Sequence, residues 1–431
     1  MKVYEQLNLS LRRMEEEGTA LSDILASERH QPYGPLFEQI LKGIMENRDL
    51  LDALLCVLSK LPLKRYRRIE YYYLLIGAYG IVFLDKPDYA VIDSIVKLMK
   101  RTSPHRAGAT NAILRRLARE EKELISTVLK EKPLTQRLSI QYSVHPELVE
   151  MLLEQFHVEE VESYFVYAQK SPPLDICVIN EDREKYFQRL LEQGISSKEL
   201  EGTFGGLRLE GKDRVITSLP GFFDGQVYVM GYAAQLISEL VPVEGKLLDL
   251  CAAPGGKSIC IKNRLPGTSL TSCDISATRV QTMKENFDRV HVEAVICQQD
   301  ALKDRPDFHE TFDVVLLDAP CTSSGLLHRH PDLRQAITRE RVESSAQLQK
   351  QLLTQAAKYV KKQGFLIYCT CSILNQEGSV QIESFLRANK DFALTQPIRN
   401  TKIDSKGFFR TRPWEDDCDG FFGAVLQKER A

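Results

Sequence analysis

From residue 226 onward the chain alternates short apolar runs with amphipathic segments, and nothing else in the sequence limits its architecture as much. The apolar runs are Lys246–Cys251, Ser269–Cys273, Glu293–Cys297, Phe312–Leu317, Gly364–Tyr368 and Gly420–Leu426. Helical patterns at 277–289, 340–362 and 376–389 lie among them. Strands separated by helices pair in the same direction, because each crossover carries the chain back to the edge it left. Repeated units of this kind predict an α/β fold with a mostly parallel sheet and right-handed crossovers. Ligands bind such sheets at the carboxyl ends of the strands. The polar turns that follow the apolar runs are therefore where chemistry is expected.

The first part of the chain reads differently. Up to about residue 135, apolar residues recur at three- and four-residue spacing, as in Leu36, Ile40, Leu41, Ile44 and in Ile92, Ile95, Val96, Met99. That is the period of amphipathic helices, and Pro62, Pro87 and Pro104 mark boundaries between them. Between 140 and 225 the pattern suggests a helical stretch near 146–168, a strand at Leu174–Asn180 and a helix near 182–193. Glycines and prolines cluster at 202–225, which reads as loops or a linker. The predicted organisation is an all-α domain at 1–138, a small α/β connecting region at 139–225 and the α/β domain at 226–431.

Charge is distributed unevenly. The 431 residues net −2, yet residues 60–119 hold thirteen Lys or Arg against four Asp or Glu, a local +9. A localised basic face on an otherwise acidic protein fits binding of a polyanion such as RNA. No apolar run reaches the roughly 18–20 residues needed to cross a bilayer, and the N-terminus has no apolar signal core. Ten cysteines without regular spacing in so long a chain do not suggest a disulfide framework. A reducing cytoplasm, no membrane partner and a monomeric state are expected.

The first polar turn follows the strand-like Leu247–Leu250 and reads Cys251-Ala-Ala-Pro-Gly-Gly-Lys257. Glycines there let the backbone approach a ligand closely. The segment lacks the Gly-x-Gly-x-x-Gly spacing of a pyrophosphate cradle, which disfavours a nicotinamide-dependent dehydrogenase. Asp274 ends the next run and is placed to accept hydrogen bonds from ribose hydroxyls. Asp300, at the end of the third, can reach an adenine amino group. Acids at the ends of three successive strands (Asp274, Asp300, Asp318) suit S-adenosylmethionine, which has ribose and adenine but no phosphate.

Two further turns carry thiols: Asp318-Ala-Pro-Cys321 and Thr370-Cys-Ser372. C5 of a cytosine ring does not attack a methyl sulfonium unaided. Addition of a thiolate to C6 makes C5 enamine-like, and a base must later remove the C5 proton so that the cysteine can leave. Such a reaction needs a nucleophilic thiol, an acid or hydrogen-bond donor near N3 and a proton acceptor. Cys371, Asp318 and Cys321 could supply these. Cys251 and Cys369 read as small buried hydrophobes. Cys369 and Cys371 have no matching second pair, so no metal site is expected.

The motifs Leu250-Cys-Ala-Ala-Pro-Gly-Gly-Lys257, Asp318-Ala-Pro-Cys321, Arg329-His-Pro-Asp332, Thr370-Cys-Ser372 and Asp419-Gly-Phe-Phe422 closely resemble those of the Nol1/Nop2/Sun family of RNA cytosine-C5 methyltransferases. Asn111-Ala-Ile-Leu-Arg-Arg116, in the helical part, resembles the NusB-like RNA-binding domain. The domain order resembles that of bacterial members acting on 16S ribosomal RNA. The resemblance implies a Rossmann-like, class I S-adenosylmethionine methyltransferase domain preceded by a NusB-like domain. It implies Cys371 as nucleophile, Cys321 as the thiol that helps release product, and Asp318 and Lys257 as polar groups of the active site. It also implies S-adenosylmethionine contacts from Cys251, Ala252, Ala253, Pro254, Gly255, Gly256, Lys257, Asp274, Arg279, Asp300 and Asp318. There are departures from the family pattern. Met230-Gly-Tyr-Ala-Ala-Gln235 puts Gly231 where the family carries an acid. His328 stands at a common Arg position and Gln335 at one often held by Trp. A tRNA methyltransferase or a non-catalytic RNA-binding assembly factor are the rival readings. The helical domain argues against the first and the intact thiol pair against the second.

Overall fold

The computed structural model describes residues 2–28, 31–211, 215–396 and 402–429. The chain forms two compact units: residues 1–169 with 330–338, and residues 170–329 with 339–431. The helices Pro146–Leu153 and Val158–Ala168, which cover the helical stretch expected in the connecting region, thus pack in the first unit, as does Leu134–Tyr142, which spans the expected boundary at 138. The single helical stretch expected at 146–168 is interrupted at 154–157.

Ten α-helices make up the described part of the first unit. At its centre lies Arg68–Phe83, in which Tyr71, Tyr72, Leu74, Leu75, Ile76 and Ala78 are all buried. A helix apolar on every side is stable only when neighbours cover it all round. Here Leu7, Phe37, Ile40, Leu51, Ile95 and Leu114 belong to the same core. Its N-terminus is fixed by Glu70, whose carboxylate accepts from the Arg67 backbone N–H at 3.0 Å and from Arg67 Nε at 2.8 Å. Residues 330–338 follow the Asp318–Cys321 turn in sequence but belong to this unit. Arg334 is fully buried there, donating to the carbonyls of Tyr142 at 2.9 Å and Ala168 at 2.6 Å. Gln335 donates to Asp49 at 2.7 Å.

The second unit contains two sheets. The smaller is antiparallel, built from β1 (Leu174–Val178), β2 (Ser197–Glu199), β3 (Gly206–Leu209) and β4 (Val227–Val229) in the order β2-β3-β1-β4. β3 lies in the stretch that the residue pattern assigns to loops. Its Arg208 conceals the strand, because a charge normally signals an exposed position. The guanidinium is instead buried against Asp175, with contacts of 2.6 and 3.1 Å.

The larger sheet comprises β5 (Lys246–Asp249), β6 (Ser269–Asp274), β7 (Val295–Gln298), β8 (Phe312–Asp318), β9 (Val360–Thr370), β10 (Phe392–Thr395), β11 (Phe409–Thr411) and β12 (Phe421–Lys428). The order is β10-β12-β9-β8-β5-β6-β7, with β11 paired to β12. β5 through β9 run parallel, and β10 to β12 add antiparallel pairings. The helix expected to reach residue 362 stops at Tyr359, and the next residue, Val360, already pairs with Phe312 of β8. Lys361 and Lys362 suggest helix, but Lys361 instead pairs with Asp313.

This strand order fixes the place of the site. From β5 the chain builds outward through β6 and β7, then returns to the other side of β5 with β8 and β9. The crevice where the order reverses opens at the carboxyl ends of β5 and β8. All three motif turns leave the sheet at or beside it: after Asp249, after Asp318 and after Thr370.

Candidate active site

The turn after β5 is held from several sides. Gly255 has φ +101°, and a Cβ there would lie 2.5 Å from Cε1 of Phe287, so no side chain fits. The Ala253–Pro254 peptide is cis. The Ala253 N–H donates to Asp274 at 3.3 Å, and Asn286 Nδ2 donates to the Pro254 carbonyl at 2.9 Å. Arg279 donates to the Ala253 carbonyl and lies 3.4 Å from Asp274. Ala252 and Ala253 are buried, while Cys251, Gly256 and Lys257 are partly exposed and Pro254 is exposed. Cys251 packs against the core of the sheet, and burial and then the carboxylates of Asp318, Asp249 and Asp274 push its thiol up.

Asp274 ends β6 and is 2 % exposed. Its Oδ1 accepts from the Ser276 N–H at 3.0 Å, and Arg279 lies over Oδ2. Asp300 follows β7 and accepts from the Leu302 N–H at 3.0 Å. It borders a cleft of about 520 Å³ with Ile275, Gln298, Gln299, Lys303, Asp304 and Arg305. Beneath the turn sits Asp249, which sequence reasoning passed over inside an apolar run. It is 1 % exposed, accepts from Ser258 Oγ at 2.7 Å, and burial raises it from 3.8 to about 7.

The two thiols meet because of strand register. Asp318 pairs with Cys369 across β8 and β9. Cys321 lies three residues beyond the first and Cys371 two beyond the second, and their sulfurs stand 3.2 Å apart. Both residues are partly exposed. Contact with Cys371, followed by burial, holds Cys321 well above the ordinary thiol range. Cys371 also lies 3.3 Å from Ser323 Oγ. Cys369 is fully buried, and its thiol, raised by burial, donates to Asp318 at 3.3 Å. Lys257 reaches across from the β5 turn to pair with Asp318. Burial would depress the ammonium, but Asp318 more than offsets this and keeps it charged. Lys257, Asp318, Cys321 and Cys371 thus form one constellation.

A second buried acid, Glu377, lies behind the thiol loops. The sequence offered only its place six residues after Cys371 as a signal. The departures from the family pattern at 231 and 328 cluster at Asp419. Arg329 pairs with that carboxylate, and His328 Nε2 lies 3.1 Å from it. A Cβ added at Gly231 would collide with the same carboxylate. An acid at 231 would put a second buried negative charge there. Among the described residues, no group of three or more His, Cys, Asp or Glu could hold a metal ion. No described helix is long and apolar enough to cross a membrane.

Residues 238–427 match the family described as 16S rRNA methyltransferase RsmB/F, and residues 1–119 match the NusB family. The ribosomal RNA small subunit methyltransferase B of Pasteurella multocida is 31 % identical, over 96 % of this chain and 93 % of its own length. The protein of the same name from Vibrio cholerae is also 31 % identical, over 100 % of this chain and 98 % of its own. Among solved structures, PH0851 gives a TM-score of 0.76 at 23 % identity, covering 99 % of this chain and 97 % of that one. NSun6 from Pyrococcus horikoshii with SFG gives 0.59 at 21 % identity, covering 66 % and 98 %. At these identities the structural likeness establishes the fold alone.

Proposed function

Because the chain belongs to the 16S rRNA methyltransferase RsmB/F family, we propose that it methylates C5 of a cytosine in 16S ribosomal RNA through a covalent adduct on Cys371. The observation that carries this reading is the thiol pair at 3.2 Å, at the carboxyl edge of β8 and β9 and beside the β5 turn. One thiol would suffice for attack; two in contact fit a reaction that must both form and resolve an adduct.

S-adenosylmethionine fits the residues present. Gly255, at φ +101°, gives the β5 turn a backbone course that no other residue takes without strain, and Asp274 and Asp300 are acceptors at successive strand ends for ribose and adenine. Arg279, about half exposed, would share Asp274 with the ribose or move aside. A fold neighbour is described with SFG, an S-adenosylmethionine analogue. When bound, the cofactor supplies the methyl group on an electrophilic sulfonium. The chain's own residues do the rest. Cys371 adds to C6 of a flipped or single-stranded cytosine, and the ring electrons it displaces make C5 nucleophilic. Asp318, paired with the charged Lys257, faces the polar edge of the ring. Cys321, once it has lost its own proton to solvent and become the thiolate, takes the C5 proton. The electrons of the C5–H bond re-form the C5–C6 double bond, and the Cys371–C6 bond breaks with Cys371 leaving as thiolate. The basic segment 60–119 of the helical unit adds electrostatic RNA affinity.

Cys371→Ala is expected to bind S-adenosylmethionine normally and to transfer no methyl group. Cys321→Ala should accumulate a protein–RNA complex stable in denaturing gels, and the double variant should lose it. Near-normal turnover by Cys371→Ala removes that residue from the mechanism. An adduct in Cys371→Ala but not in Cys321→Ala exchanges the two roles.

A further inference from the structure

We propose that Glu377 is the residue that positions the two active-site thiols, its carboxylate serving as a common anchor for the loops that carry Cys321 and Cys371. The inference rests on the covalent reading of those thiols and assigns an acid that the reaction scheme leaves without a task.

Glu377 is 0 % exposed, on the short turn Asn375–Glu377 after the Cys371 loop. Four neutral donors converge on its carboxylate. The backbone N–H of Thr322 donates to Oε1 at 2.8 Å and Gln349 Nε2 donates to the same oxygen at 3.1 Å. The hydroxyls of Thr322 and Ser372 donate to Oε2, the second at 2.6 Å. Thr322 directly follows Cys321, and Ser372 directly follows Cys371. One carboxylate therefore grips the residue next to each thiol. An ionised carboxylate is the one side chain that only accepts, through two oxygens, and it matches a shell made only of donors.

The anchor is itself fixed. Tyr368 Oη donates to the Glu377 carbonyl at 2.8 Å, tying the turn to β9. Gln349 Nε2 also donates to the carbonyl of Pro320, just before Cys321, at 2.9 Å. A buried acid with this many donors is expensive to desolvate, and the fold would be simpler with an apolar residue there. Its presence is explained by what it holds. Reacting groups out of place by about 1 Å can lose a hundredfold in rate, and two loops from different strands have no covalent reason to keep their thiols in contact. The charge has a second effect. After contact with Cys371 and burial, Glu377 is among the influences that raise the Cys321 thiol, against a hydrogen bond from the Ser323 backbone that lowers it; Tyr368 and the Lys257–Asp318 pair are the other titratable groups close to the thiols.

The test uses the full chain with small-subunit ribosomal RNA, compared as Glu377→Ala, Glu377→Asp and Glu377→Gln. Glu377→Ala removes the anchor, and Glu377→Asp retracts it by one methylene while keeping the charge. Both are expected to lower kcat by about a hundredfold, with the KM for S-adenosylmethionine within about twofold of wild type. Glu377→Gln keeps the length and two acceptor contacts, so kcat should recover to within about tenfold of wild type. Loss of the charge in this variant should move the pH profile of adduct release to lower pH. A purely structural role would lower the melting temperature without this kcat-against-KM split or the shifted profile. Should Glu377→Ala fail to fold, Glu377→Asp carries the test. A folded Glu377→Asp with wild-type kcat overturns the anchor. RNA made with 5-fluorocytidine separates this inference from the function beneath it, because fluorine at C5 blocks release and traps the adduct. No trapped adduct with wild-type protein overturns the covalent reading. Equal trapping by wild type and a folded Glu377→Ala overturns the anchor alone.

Discussion

Asp249 lends itself to a quantitative test. It ends β5 and is 1 % exposed, with its Oδ2 bonded to Ser258 at 2.7 Å. Burial, reinforced by the carboxylates of Asp318 and Asp274, lifts its pKa from 3.8 to about 7, against the opposing pull of Ser258 and Lys257. The acid is thus held neutral in the fold over a range where the unfolded chain ionises it. Between pH 3.8 and about 7 the unfolded state therefore gains stability on the folded one as pH rises. Each tenfold change in proton affinity is about 1.4 kcal/mol. The destabilisation therefore reaches about 4 kcal/mol above pH 7 and is only about 2 kcal/mol at pH 5, before any cofactor binds. Asp249→Asn removes the titration while leaving an acceptor for Ser258. Its amide has fixed penalties of its own, but these cancel in a comparison across pH. Urea unfolding of the second unit's transition at pH 5 and pH 8 gives the difference between variant and wild type. That difference should shift in the variant's favour by about 2–3 kcal/mol from the lower pH to the higher. A difference that stays constant would mean that Asp249 ionises in the fold like an exposed acid.

Asp419 titrates in the opposite sense. Burial would raise it, but the hydrogen bond from His328 and the charge of Arg329 hold it below the ordinary carboxylate range. Its contribution is therefore complete above the unfolded pKa and lost as pH falls through the lower folded value, so melting curves of Asp419→Asn should lack part of the wild-type loss of stability below about pH 4. RNA docking on the basic segment 60–119 is best probed at Lys64 and Arg65, which are exposed. Neutralising both should weaken RNA binding and flatten its salt slope by about 0.7 for each phosphate no longer neutralised, with S-adenosylmethionine affinity unchanged; an unaltered salt slope places docking elsewhere. Arg67 is a poor probe, because it bonds Glu70 at 2.8 Å and the Thr102 carbonyl at 2.9 Å. Arg67→Ala should destabilise the helical unit by about 2 kcal/mol in chemical denaturation, and an unchanged midpoint would show that Ser103 and Arg106 suffice for Glu70.

Local sequence was enough to specify most elements and the chemistry carried by contiguous residues. Alternating apolar runs specify β5 to β9 and their parallel pairing, because a strand period and the crossovers between strands are local properties. The turn at 251–257 and the two thiol turns were legible because function there needs particular residues side by side. What depends on register and packing was not legible. The buried Arg208 concealed β3, since its pairing with Asp175 and Asp417 is what makes a charge tolerable in a strand. The long β9 took residues that look helical, because pairing with β8 outweighs local propensity. Membership of 330–338 in the helical unit could not be read from a segment lying between strands. The same holds for the site. Two cysteines fifty residues apart announce themselves, but their 3.2 Å contact follows from Asp318 pairing with Cys369. Glu377 and Asp249 are ordinary acids in sequence. They acquire meaning only where the fold buries them, because burial makes an acid's hydrogen-bond donors indispensable and its charge costly.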